Sequence, residues 1–189
     1  MSTAAFFDLD GTLIPGSANI PLAKAAFRQG FASPSDLLKD LRNGVSFLLK
    51  GATDERSAQV RDRILQAVQG HRAADVEALG DYFIDDLVAS ITPAMREVLD
   101  HHGAAGDDRI VVSASPTEIV SRLAHGAGLE YGVGTTAARD ADGVYTGELT
   151  GPFCYKQGKV DVMRALATDH GYDLEQCYAY TDSASDLPM

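Results

Sequence analysis

Two carboxylates one residue apart, Asp8 and Asp10, close the apolar run Ala4 to Phe7 in AAFFDLDGTLI, residues 4–14. The run reads as a short strand buried on both faces, broken by Gly11. Residues two apart on a strand point the same way, so both carboxylates start on one side of the chain before the turn. Like charges that close repel, and a hard divalent cation such as Mg²⁺ is the usual compensation. A calcium loop would need a third ligand before its Gly and a later Glu, and neither stands at that spacing. A hairpin at Asp10-Gly11 would need a second strand at once, where Pro15, Gly16 and Ser17 interrupt the chain.

Other chemistry-bearing residues also follow strand-like runs. Ser113 comes after IVV in RIVVSAS, and Asp182 and Asp186 come after CYAYT in DSASD. Singly, Ser113 is an ordinary helix cap and DSASD an ordinary helix start. Strands running parallel as neighbours would bring all of these ends to one crevice. Lys159, early in a helix in KQGKVDVM, opposes the local dipole, and a nearby phosphate would explain a cation there. Lys156, three residues earlier, is the rival lysine, with a solvated surface position as its bland reading. Phosphoryl transfer through an aspartyl-phosphate uses such parts. One carboxylate attacks phosphorus, and a second moves protons. Mg²⁺ and a lysine neutralise the phosphoryl oxygens, which a hydroxyl and backbone N–H groups hold. His71, His125 and His170 are scattered, and His101 and His102 read as a last-turn pair suited to the helix dipole, so zinc chemistry and a histidine triad have little support.

The elements that must position these residues are of two kinds. Residues 18–90 are helical in pattern, punctuated by Gly30, Gly51 and Gly70, with starts expected at Ser33 to Asp36 and Thr53 to Glu55, and RAADVEALGDYFIDDLVAS read as one helix. From Thr92 helix and strand alternate. A helix is capped by Thr92, carries Pro93 in its first turn and closes at Gly103. RIVVSAS and YGVGTTA follow as strands with a helix between them, then a hairpin around Asp142-Gly143, a helix from Lys159 to His170 and a strand from Cys177 to Thr181. The expected fold is α/β, a doubly wound parallel core of Rossmann type with an inserted all-α cap and a small β-hairpin. The core comprises 1–16 and 91–189, and the cap 17–90.

A chain of 189 residues allows one core domain with a smaller appendage. The net charge of −11 argues against nucleic acid and anionic membranes as partners. The short N-terminal apolar run lacks basic residues before it and does not read as a leader. With only Cys154 and Cys177, both taken as buried filler, a reducing cytoplasm is expected.

DLDGT, VVSAS, the Lys159 helix and YTDSASDLPM together resemble the four motifs of the haloacid dehalogenase-like phosphohydrolases, in the branch similar to phosphoserine phosphatase with a helical cap. The resemblance implies Asp8 as nucleophile and Asp10 as general acid and base. It implies Mg²⁺ held by the Asp8 carboxylate, the Asp10 carbonyl and Asp182, with Asp186 direct or one layer out. Ser113, the Ala114 amide and Lys159 would hold phosphate, with Ser185 a further contributor, and the spacing to the last motif favours Lys159 over Lys156. Where that branch carries a Glu and an Arg to read phosphoserine, this chain has Ser17 and Gly44, with Arg42 nearby. The expected activity is that of a Mg²⁺-dependent phosphomonoesterase acting on a small phosphorylated metabolite. Transfer to an acceptor hydroxyl and a phospho-aspartate receiver domain are the alternatives. Because the family continues with a helix and a strand after the last motif, the chain is expected to be truncated after Met189, leaving Asp186 near a frayed end.

Overall fold

The computed structural model describes residues 2–31 and 54–189, with the side chains of residues 54–57, 60, 63 and 185 outside that description. The described chain forms two compact units. One comprises residues 1–18, 83–136 and 151–189; the other comprises 19–82 and 137–150.

The first unit is built on a parallel sheet of β1 (Ala4–Phe7), β2 (Asp108–Pro116), β3 (Tyr131–Thr135) and β6 (Tyr178–Tyr180), in the order β3-β2-β1-β6. Ala4 to Phe7 are fully buried, which accounts for the unbroken apolar run of β1. β2 lies on one side of β1 and β6 on the other, so the strand order reverses at β1, where open α/β sheets bind ligands at their carboxyl ends. Helix α6 (Thr117–Gly126) links β2 to β3, and on one face of the sheet Phe6, Ile110 and Val112 pack with Met163 and Ala167 of α7 (Gln157–His170). On another side of β1, Phe7 stacks on Tyr180 with ring centroids 4.8 Å apart. Between Val112 and Pro116 the β2–β3 register slips, so β2 bulges at Ser113 to Ser115. Bulges of this kind re-aim side chains beside functional sites.

Helix α5 (Pro93–Ala105) is capped by Thr92, whose Oγ1 accepts from the Met95 N–H at 3.3 Å, and carries Pro93 at its first position. It does not close at Gly103 as expected. It runs on to Ala105, and Gly106 ends it in the left-handed conformation at φ 83°. Gly103 instead gives the Arg109 guanidinium room, because a Cβ there would lie 3.0 Å from Nη1. His102 lies in the last turn of α5 as expected, but it is more than an exposed helix-end cation. Its ring is buried, with Nδ1 2.7 Å from Asp107 Oδ2 and Nε2 2.8 Å from the Tyr180 hydroxyl.

The second unit holds α1 (Asn19–Arg28), α2 (Asp54–Val68), α3 (Ala73–Ala78), a 3₁₀ turn (Leu79–Tyr82) and the antiparallel hairpin of β4 (Ala137–Arg139) and β5 (Tyr145–Leu149). The hairpin turn is held by Asp140 Oδ1, which accepts from the N–H groups of Asp142 and Val144, with Gly143 at φ 76°. Sequence order assigns this hairpin to the core, but backbone bonds tie it to the helices: Gly70 N–H to the Tyr145 carbonyl, and Ala73 N–H to that of Gly143, both 2.9 Å. The stretch read as one helix over 72–90 breaks into α3, the 3₁₀ turn with Gly80, and α4 (Ile84–Ala89), and the border between the units falls at this break, before Phe83. The expected helix start at Ser33 to Asp36, together with Arg42 and Gly44, lies outside the described residues.

Candidate active site

All the described residues that matter here belong to the sheet-based unit. β1–β6 pairing continues one residue beyond β1, where the Asp8 N–H donates to the Tyr180 carbonyl at 2.9 Å. The chain then turns tightly, with Gly11 N–H on the Ile14 carbonyl and Ile14 N–H on that of Leu9. Gly11 has φ 84°, and a Cβ there would lie 2.4 Å from Asp182 Oδ2. Glycine is therefore required twice over, for the backbone conformation and for the approach of that carboxylate.

Asp8, Lys159 and Asp186 form a buried triad. Lys159 Nζ lies 2.5 Å from Asp8 Oδ1 and also donates to Asp186 Oδ2, which accepts from Thr181 Oγ1 at 3.4 Å as well. Burial would lower the Lys159 pKa, but the two carboxylates outweigh it and hold the ammonium above its ordinary value. Burial pushes the Asp8 carboxyl up, against the pull of Lys159. Lys156 stands just before α7 at φ 50°, with its Nζ 5.5 Å from the centre of the Tyr155 ring.

Asp10 turns into a different environment. Its carboxylate accepts from Ser17 Oγ at 2.7 Å and from the Ala18 N–H at 2.9 Å. Burial pushes this carboxyl up as well, against those two donors. Ser17, at the position where the resembled branch carries its substrate-reading Glu, here donates to Asp10.

Thr12 is a residue that sequence reasoning passes over. Its Oγ1 lies 3.3 Å from both Asp8 Oδ2 and Asp182 Oδ1, and it accepts the Asp182 N–H at 3.0 Å. The signal available was a hydroxyl following the two acids in DLDGT. Ser113 is buried at the β2 bulge, where its Oγ accepts the Ser115 N–H at 3.1 Å. The neighbouring Ala114 carbonyl accepts from Thr135 Oγ1 at 2.8 Å. Arg42 and the Ser185 side chain lie outside the described residues. Cys154 is buried and its thiol is pushed up to about 12, chiefly by burial, so it offers no thiolate nucleophile at neutral pH.

The donor set linked by Thr12 is all oxygen. Among the described residues no group of three or more His, Cys, Asp or Glu side chains gathers to hold a metal. Mg²⁺ needs less, since it takes one or two carboxylates and keeps several waters, so the Asp8 and Asp182 carboxylates with a backbone carbonyl fit it. Asp186, engaged with Lys159, is placed as a partner of the cation rather than as a free ligand.

A profile of haloacid dehalogenase-like hydrolases matches residues 5–189. The chain belongs to the haloacid dehalogenase-like hydrolase family. Two relatives of this chain, both from Mycobacterium tuberculosis (strain ATCC 25618 / H37Rv), are a probable phosphatase, 37% identical over 188 residues, and a phosphoserine phosphatase, 32% identical over 191. They match 99% and 100% of this chain, which spans 65% and 62% of their own lengths, just under two thirds. A crystal structure of a protein of unknown function from Bordetella pertussis Tohama I superposes with TM-score 0.80 at 26% identity, covering 100% of this chain and 85% of that one. A phosphoserine phosphatase in a phospho-aspartyl intermediate analogue form shares the fold of this chain at TM-score 0.64 and 20% identity, over 100% of this chain and 81% of that one.

Proposed function

We propose that this chain carries the catalytic apparatus of a Mg²⁺-dependent phosphomonoesterase that works through a phosphorylated Asp8. The observation that carries the reading is the contrast between two neighbouring carboxylates, Asp8 against Lys159 Nζ at 2.5 Å and Asp10 held by Ser17 and Ala18. Paired acids in different environments are the usual division between a nucleophile and a proton carrier.

In the first step an Asp8 carboxylate oxygen forms a bond to phosphorus while the bond from phosphorus to the ester oxygen breaks. Asp10, protonated, gives its proton to the departing alkoxide. In the second, water attacks the same phosphorus, Asp10 takes a proton from it, and the bond to Asp8 breaks to release phosphate. Lys159 neutralises charge on the phosphoryl oxygens, and the Ser113 hydroxyl and Ala114 amide hold them, with Ser185 a further donor. A Mg²⁺ held by the Asp8 and Asp182 carboxylates and the Asp10 carbonyl would supply charge neutralisation at the phosphoryl group.

The substrate is a small phosphorylated metabolite, with selection assigned to the helical unit. Phosphoserine is disfavoured, because Ser17 is engaged with Asp10 and Gly44 has no charge to offer. No described helix is long and apolar enough to cross a membrane. The cytoplasmic placement rests on the two cysteines of the sequence, too few for a disulfide framework. Incubating the protein with a panel of phosphorylated metabolites and Mg²⁺ tests this reading. Phosphate release from some of them by the wild type, lost in Asp8→Asn, is expected. Undiminished release by that variant would refute the mechanism.

A further inference from the structure

We propose that Ser115, which the mechanism above leaves unused, is a second hydroxyl contact to the phosphoryl oxygens of the substrate. This rests on the phosphatase reading and adds a residue to it.

Ser115 is 1% exposed, and its Oγ has no hydrogen-bond partner among the described residues. A buried hydroxyl left unsatisfied costs free energy, so native structures supply a partner from protein, water or ligand. Three features make a ligand the fitting partner. First, Ser115 stands at the carboxyl end of β2, next to β1, and its N–H is bonded to Ser113 Oγ at 3.1 Å. The Ser113 oxygen thus has an acceptor site filled, which leaves its proton for a phosphoryl oxygen. Second, Ser115 lies in the bulge between Val112 and Pro116, where β2 carries three residues against one on β3. Third, its backbone is fixed from the neighbouring strand. β3 comes so close that a Cβ on Gly134 would lie 2.3 Å from the Ser115 carbonyl oxygen. A hydroxyl on a fixed backbone, buried and unpartnered beside Ser113, is pre-organised to donate to an anion and pays little to do so.

Titration calorimetry of inorganic phosphate, with Mg²⁺ present, into the wild type and Ser115→Ala tests this. The variant is expected to bind phosphate about ten- to a hundred-fold more weakly, the range for a hydrogen bond to a charged group. Its melting temperature without phosphate should equal or exceed that of the wild type, because an unpaired polar atom has been removed. Unchanged phosphate affinity in the variant would overturn the inference and leave the phosphatase reading standing. So would a clear fall in its phosphate-free melting temperature, which would mean that Ser115 Oγ is bonded within the free protein. No phosphate binding by the wild type would overturn both.

Discussion

Asp8 and Asp10 are one residue apart in sequence and feel the same Lys159 charge, but their hydrogen-bond partners differ. Asp8 faces an ammonium shared with Asp186, whereas Asp10 faces a hydroxyl and an amide. Asp8→Asn is therefore expected to abolish turnover, while Asp10→Asn retains slow phosphoenzyme formation, having lost a proton carrier worth roughly 10²–10⁴-fold. Acid-quench trapping of labelled phosphoenzyme separates the two. The raised pKa of Asp8 also has a sign for stability. A carboxyl whose pKa is higher in the folded state contributes fully below its unfolded value of about 3.9 and loses that contribution as pH rises through the folded pKa. In chelator at pH 7, Asp8→Asn should thus melt no lower than the wild type, and any advantage should vanish in acid; a lower melting temperature at pH 7 would contradict this. Lys159→Met should do the opposite. It leaves two buried carboxylates facing one another, and a loss of about 3–5 kcal/mol in chemical denaturation is expected along with the loss of activity.

The elements hold these groups by close backbone approach. A Cβ on Gly158, one residue before Lys159, would lie 1.8 Å from the Phe153 carbonyl oxygen. Gly158→Ala must shift either that segment or the start of α7, and Lys159 with it. A loss of about 1–3 kcal/mol together with a fall in kcat is expected, whereas alanine at the surface glycine Gly106 should leave kcat alone. At the other end of the sheet Arg109, near the start of β2, takes Glu130 through Nη2 at 2.7 Å and Nε at 3.0 Å, just ahead of β3. Burial raises the Glu130 pKa, but the bonds from Arg109 outweigh it and hold the carboxyl below its usual range. Such a group stabilises above its unfolded pKa, about 4.3, and stops doing so as pH falls through the folded value. Glu130→Gln should therefore cost about 1 kcal/mol at pH 7, a modest figure for a partly exposed pair, and the difference should close below about pH 4 in melting experiments.

At the scale of the molecule, a net charge of −11 includes the four carboxylates that the candidate site gathers at the carboxyl edge of one sheet. A bound divalent cation should offset part of that repulsion. Mg²⁺ is expected to raise the melting temperature in a concentration-dependent way, by an amount equivalent to about 2.7 kcal/mol at a hundred times its Kd. Asp182→Asn should suppress the rise, and a Mg²⁺-independent melting temperature in the wild type would count against the site. The helical unit gathers two separate segments of the sequence, 19–82 and 137–150. Substitutions that alter substrate preference without touching phosphoenzyme formation are expected to fall within it.

The sequence by itself determined the kind of fold and the residues from which a candidate site could be built. A fully buried strand must be apolar throughout, and acids that end it must lie at the strand's carboxyl edge, so Asp8, Asp10, Ser113 and Asp182 could be singled out from order and spacing alone. Local rules also placed the Thr92 cap, the Asp142-Gly143 turn and the alternation of helix and strand after residue 91. What only the tertiary structure decided were pairings across long stretches of chain. Lys159 with Asp8 spans 151 residues, Thr12 with Asp182 spans 170, and His102 with Tyr180 spans 78. No local periodicity encodes which partner a hydroxyl, an ammonium or an imidazole will meet. Thr12 was therefore passed over and His102 read only as a helix-end cation until the sheet brought their partners to them. The hairpin's place with the helices was hidden for the same reason, because backbone bonds to Gly70 and Ala73 leave no mark on the residue types that make them.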